Sequence, residues 1–400
     1  MAVLIAIVAL GGCASCQSTV RQTAMPFLAG SPIDGVVSDP GSHRLYLADQ
    51  GNKGVDVVDI SSASMPNFER RIDTAGIPHG LAVAPDAHRL YAALEGGVVA
   101  AIDIQPGSPS YLQVVSRIQA GRSTADLLDY SAQRHQLLVS TGTEGRVVAL
   151  DTAHGGLAAI YVVDAPVEQP RFNSGDGMVY VAAPALDAVL QIDPATAQVT
   201  RRYVVKGCHP TGLAINPKLQ VALAGCRGSV ALFNLRSGAM SVTRAVQGGD
   251  LVSYDSQSDR FAVASPHAVK DSAVGLFMGD GEFIGVVSAP PTAHAAAFDS
   301  AHGLVYAPGP SGLMSIAPAA CTPPPRWLKF AGGLSVFALP LLAVALLPVV
   351  YARRKSSARQ AEPSFRELQE RDLAMERERM RALEDSMFGP QVNPRVRPEP

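Results

Sequence analysis

Gly80-Leu81-Ala82-Val83-Ala84-Pro85-Asp86-Ala87-His88-Arg89-Leu90-Tyr91 is followed, after a short gap, by Val98-Val99-Ala100-Ala101-Ile102-Asp103. A small residue opens an apolar run and a Pro/Asp turn interrupts it. A second run starts at Arg89 and a third ends in Asp. Apolar runs of this length bounded by Gly, Pro and Asp read as strands, being too short and too β-branched for helices. Versions of the same pattern begin at Gly35, Gly80, Asp126, Arg171, Gly212, Leu251 and Ala295, between 39 and 46 residues apart. That period is the length of a four-stranded propeller blade.

The expected fold is therefore all-β: a seven-bladed propeller over residues 22–317, followed by one transmembrane helix and a short cytoplasmic helix. The last copy stops after its third strand, near Ile316, and lacks a fourth. The segment Gln22–Leu28 is the expected replacement, closing the ring with chain from the other end and removing an exposed edge. A charged content of 17% against 47% hydrophobic residues permits a large core, and a net charge of −2 offers no basic field for a phosphate backbone, which argues against nucleic acid.

The repeated Gly-Leu-Ala-Val-x-Pro-Asp, Arg-Leu-Tyr-x-Ala and Val-x-x-Ile-Asp elements resemble the YVTN family of bacterial β-propellers. They lack the Gly-His and Trp-Asp marks of WD40 blades, and the one tryptophan, Trp327, lies outside the repeats. The resemblance implies an exported recognition or scaffold propeller, usually without known chemistry. Cys208-His209-Pro210-Thr211-Gly212 and Gly225-Cys226 match a cysteine pattern that members of this group carry. Cys208 and Cys226 also stand equally far on either side of the turn at Pro217, which places them opposite each other and suits a disulfide. Two reduced buried thiols are the alternative.

Both ends lie outside the repeats. Ala2–Leu10 is an apolar run followed by Gly11-Gly12-Cys13-Ala14-Ser15-Cys16, the layout of a signal peptide or lipoprotein leader over residues 1–16. Cys13 is the candidate for lipidation, with cleavage after Ala14 as the competing reading; Cys16 and Cys321 are a further possible pair. Residues 318–329 form a Pro-rich spacer. Phe330–Tyr351 is almost wholly apolar and long enough to cross a bilayer. Arg353, Arg354, Lys355 and Arg359 follow it, so the positive-inside rule places the tail, 352–400, in the cytoplasm and the propeller in the periplasm, at the bacterial inner membrane. Within the tail, residues 364–387 read as a charged helix, a possible docking element for a cytoplasmic partner, and Gly389–Pro400 as disordered.

Loops entering the innermost strands of a propeller ring the mouth of its channel. Asp34, His79, Asp126, Arg171, His209, Asp250 and His294 are the residues expected there, a mixed polar ring suited to a ligand, a protein partner or a cell-envelope component. Backbone satisfaction at strand starts accounts for such a ring equally well. No metal cofactor is assigned. Ca²⁺ is the open alternative, because propeller lactonases hold that ion with carboxylate and amide oxygens, and Glu168, Asn173, Asp34, Asp126 and Asp250 carry such donors. His79, His209 and His294 are too scattered for a copper cluster. No nucleophile elbow, P-loop, zincin or haem motif occurs. Non-catalytic recognition is the expected function; a metal-dependent propeller hydrolase or a redox-complex subunit is the alternative.

Overall fold

The computed structural model describes residues 18–28, 30–266, 272–310 and 312–318. Within them the chain forms seven four-stranded antiparallel sheets arranged as a propeller. The innermost strands are Ile33–Asp39, Pro78–Ala84, Leu128–Ser131, Pro170–Asn173, Leu213–Asn216, Val252–Asp255 and Ala297–Asp299, which define blades 1 to 7. Each innermost strand packs against that of the next blade, and blade 7 packs against blade 1, so the ring is closed.

Blade 7 is completed by the other end of the chain. Thr19–Ala24 pairs antiparallel with Gly312–Ala317, from Thr19 opposite Ala317 to Ala24 opposite Gly312. This strand begins three residues earlier than the Gln22–Leu28 segment read from the sequence. Pro26–Leu28 instead forms a 3₁₀ turn that buries Leu28 beside Met25, Ile33, Leu45 and Leu47. An outermost strand faces water on much of its surface, and Thr19–Ala24 is polar and largely exposed. The apolar residues that follow belong in the core.

The core lies between sheets. Ala82, Ala84, Tyr91 and Val99 of blade 2 pack on Leu128, Leu137, Val139 and Val148 of blade 3. Second and third strands such as Val98–Asp103 are covered on both faces, so they are buried almost without alternation. Between blades the close approach is made at glycine. A Cβ on Gly80 would stand 2.5 Å from the Asp126 carbonyl oxygen, and one on Gly35 would stand 2.6 Å from that of His79.

Cys208 and Cys226 form the disulfide, with Cα atoms 4.7 Å apart. Both are buried in blade 5, where the Cys208 carbonyl also accepts the Arg227 N–H at 2.9 Å. The leader with Cys13, the Cys16–Cys321 pairing, the spacer, Phe330–Tyr351 and the tail fall outside the described residues. Among the described residues no helix is long and apolar enough to cross a membrane.

Candidate functional site

One backbone pattern fixes the ring at the channel mouth. The Asp126 N–H donates to the Ser140 carbonyl at 3.0 Å and the Ser140 N–H returns to the Leu127 carbonyl at 3.0 Å. The same exchange links Glu168 and Gln169 with Ala182, Thr211 and Gly212 with Gly225, and Asp250 and Leu251 with Ala264. Adjacent blades are then stitched at that level: Gly80 N–H to Asp126 O at 2.8 Å, Gln169 N–H to Thr211 O at 3.2 Å, and Leu251 N–H to His294 O at 3.3 Å. In blades 1 and 2 the equivalent residues, Asp34 and His79, sit where the register shifts, between Ile33 and Val36 and between Pro78 and Leu81. Irregularities of this kind re-aim a side chain.

The mouth ring is therefore Asp34, His79, Asp126, Glu168, Thr211, Asp250 and His294. Five of these are the residues read from the sequence. In blades 4 and 5 the position is held by Glu168 and Thr211 rather than Arg171 and His209. His209 lies outside the ring: its Nδ1 is 3.1 Å from the Pro184 carbonyl and 3.3 Å from Asp187 Oδ1, and its side chain is about half exposed. Arg171 lies three residues further along, inside the channel. Asn173 is fully buried, its amide exchanging hydrogen bonds with Gln220 and accepting the Gly175 N–H, so its oxygen is already engaged.

Two His–carboxylate pairs stand in the ring. His79 Nδ1 is 2.9 Å from Asp34 Oδ2, and His294 Nδ1 is 2.8 Å from Asp250 Oδ2. Gln50, at the end of the second strand of blade 1, joins the first pair: its Nε2 donates to Asp34 Oδ2 at 2.8 Å and lies 3.1 Å from His79 Nδ1. Burial opposes a charge on His79, but the hydrogen bond and charge of Asp34 outweigh it and raise its pKa. His294 is raised chiefly by its hydrogen bond to Asp250. Burial, then the charge of Asp34, raises Asp126. Glu168 is pushed up to about 8, first by burial and then by Asp126, to which it is hydrogen-bonded. At neutral pH this pair holds a proton between two carboxyl groups.

Asp34, His79 and Asp126 each bring one ligand-type atom within 4.8 Å of the others, a group of residues that could hold a metal ion. His79 Nε2 and Thr211 Oγ1 are buried without a hydrogen-bond partner. Four carboxyl groups thus meet two imidazoles, with two polar atoms still unsatisfied. The donor set is mostly hard oxygen, which fits Ca²⁺; an imidazole nitrogen in the same group also fits softer divalent ions.

Below the mouth the channel encloses about 480 Å³ and is lined by Tyr130, Phe172, Tyr254 and Phe298 among others. Arg171 reaches across it. Nη1 lies 3.3 Å from Asp129 Oδ1 and 3.2 Å from the Leu128 carbonyl, while Nη2 lies 3.4 Å from the Val252 carbonyl of blade 6. Asp129 also accepts the Phe172 N–H at 2.7 Å. Burial raises Asp129 and lowers Arg171, and each charge offsets the other's penalty.

Gln50 and Thr211 escaped the sequence reading. A side-chain amide carries no motif, so Gln50 gave no signal. Thr211 did, because it directly precedes Gly212 as Asp34 precedes Gly35 and His79 precedes Gly80. No family model and no curated protein matches the chain. The architecture is compatible with a propeller repeat protein.

Proposed function

We propose that the chain is a non-catalytic recognition propeller, held at the periplasmic face of the inner membrane by Phe330–Tyr351, whose channel mouth captures a positively charged group. The anchor rests on the length and apolarity of that segment and on the basic cluster after it. The observation that carries the binding role is the meeting of four carboxyl groups, Asp34, Asp126, Glu168 and Asp250, at one mouth. Burial first and the other three charges next keep a proton on Glu168 to about 8. A cation entering the mouth displaces that proton and relieves the repulsion. A divalent ion or the Lys or Arg side chain of a partner protein supplies the same charge.

Calorimetry on the full-length protein in mild detergent separates these sources, using Ca²⁺ in one titration and a Lys/Arg-rich peptide in the other. Binding with proton release, lost in Asp126→Asn, supports the reading; no heat and no proton release with either probe removes it. Orientation is tested by a periplasm-active reporter fused after Ala317 or after Pro400. Activity at Ala317 alone is expected, and activity at Pro400 alone overturns the topology.

The second reading, a metal-dependent propeller hydrolase, draws on the Asp34, His79 and Asp126 group within 4.8 Å. In it these residues would hold the ion and Glu168 would be the proton carrier. Hydrolysis of a lactone panel by Ca²⁺-loaded protein, abolished in Glu168→Gln, would favour it over recognition.

A further inference from the structure

Beside the mouth, blade 1 contains a second cluster of ionisable groups that the recognition role leaves unused. Asp49 and Asp56 are fully buried, on the second and third strands, and share one guanidinium. Arg71, on the outermost strand Asn67–Asp73, places Nε 2.6 Å from Asp56 Oδ1 and Nη2 2.9 Å from Asp49 Oδ2. Asp49 also accepts the Ser31 hydroxyl, the Asn52 N–H at 2.9 Å and the Asn52 side-chain amide at 2.8 Å. Those bonds hold the turn that begins at Gln50, the residue that grips Asp34 beside His79.

We propose that this cluster is a proton-operated latch on the mouth: the state of the Asp49–Asp56 pair, clamped by Arg71, governs whether Gln50 keeps Asp34 against His79. The latch rests on the reading of the mouth as the ligand site and adds its regulation. With a proton on Asp56, its hydroxyl donates to Asp49 and one guanidinium suffices for both groups. When that proton leaves to solvent, two adjacent carboxylates with no exposure compete for Arg71. The repulsion presses on Asp49, whose bonds to Ser31 and Asn52 pass the displacement to the turn that carries Gln50.

Burial pushes Asp56 up to about 7 against the pull of Arg71, so the latch is closed below that pH and released above it. The charged groups facing Asp56 are Asp49 from the second strand and Arg71 from the outermost. The segment before the innermost strand contributes only the Ser31 hydroxyl, and blade 2 sends Arg117 to the Thr74 carbonyl at 2.5 Å.

The side-chain amide resonances of Gln50, followed by NMR in the full-length protein from pH 5.5 to 8.5, test the coupling. A shift with a midpoint near about 7 is expected. It should persist in His79→Gln and Glu168→Gln, each of which removes one of the mouth's titrating groups, and vanish in Asp56→Asn. A transition that persists in Asp56→Asn, or that disappears with either mouth variant, overturns the latch. Where Asp56→Asn does not fold, the Asp56 carboxyl ¹³C resonance of the unmodified protein decides: a midpoint near about 7 supports the latch and one near the ordinary 3.8 overturns it. Neither readout needs a ligand, so failure here leaves the binding role of the mouth standing, and failure of calorimetry leaves the latch standing.

Discussion

The two levels of the central channel are built on the same innermost strands, yet they handle charge in opposite ways. In the lower level one cation, Arg171, faces one carboxylate, Asp129, and the remaining guanidinium donors reach carbonyls of blades 3, 4 and 6. At the mouth four carboxyl groups face two histidines, a proton is held between Asp126 and Glu168, and His79 Nε2 and Thr211 Oγ1 go unsatisfied. Buried polar groups are normally partnered, and an unpartnered hydroxyl occurs in the lower channel too, at Ser253. The contrast between the levels therefore rests on charge: a paired cation and carboxylate below, an excess of carboxyl groups above. The lower pair joins neighbouring blades 3 and 4, and Arg171 extends it to the Val252 carbonyl of blade 6. At the mouth the excess of carboxyl groups is met by a proton rather than by a cation.

The largest effect expected from this contrast is at Arg171. Arg171→Met leaves the part-buried Asp129 without its counter-charge. Breaking a fully buried pair costs about 3–5 kcal/mol, and with both side chains about one-fifth exposed the loss here should be about 3 kcal/mol. The urea midpoint of the full-length protein should fall accordingly. Adding Asp129→Asn to Arg171→Met should recover most of the loss, since a neutral amide needs no cation. No loss in the single variant would erase the distinction between the two levels.

Spacing between blades supplies the next largest effect. Gly80→Ala puts a Cβ 2.5 Å from the Asp126 carbonyl oxygen and 2.8 Å from the Leu127 Cα, backbone that cannot swing away. A cost of about 1–3 kcal/mol follows from such overpacking, together with a wider mouth between His79 and Asp126. Gly285→Ala, where a Cβ meets nothing within 4 Å, is the matched control and should be silent. Equal effects at the two glycines would mean that close contact does not set the mouth's width.

Glu168 tests the mouth from the other side. Its folded pKa, about 8, lies above the ordinary 4.5, so the native state binds the extra proton and stability falls as pH rises from 4.5 through 8. Glu168→Gln removes that fall, its neutral amide setting no charge against Asp126, and should gain no less than about 1 kcal/mol at pH 9. Thermal melts at pH 6 and pH 9 read it directly. A variant that loses stability at pH 9 would show that the carboxylate serves the fold.

Much of this was legible in the residues, and what was not has physical causes. The strands could be read because each blade repeats an apolar run closed by Pro and Asp, a pattern imposed by packing on both faces. Thr19–Ala24 could not, because an exposed outer strand buries little and leaves no apolar mark, while the neighbouring Phe27 and Leu28 drew the assignment toward the turn. Mouth positions were clear where a Gly or a conspicuous Asp marks the strand start. They slipped in blade 4, where Gln169-Pro170 replaces the glycine, and in blade 5, where the histidine beside Cys208 outshone Thr211. Charge balance was invisible throughout, since it depends on which carboxyl groups face one another across blades.

The smallest expected effect is the most discriminating. Thr211→Val keeps the side chain's shape and removes a buried hydroxyl that has no partner, so stability should change by less than about 1 kcal/mol, in the stabilising direction. Ca²⁺ affinity measured by calorimetry should nevertheless fall roughly tenfold, the share of one neutral oxygen donor, and Thr211→Ser should restore it. The two numbers moving in opposite directions is what a group held ready for a ligand predicts. A Thr211→Val protein that loses stability as Arg171→Met does would make the hydroxyl part of the scaffold, and the mouth would then be the same kind of place as the channel beneath it.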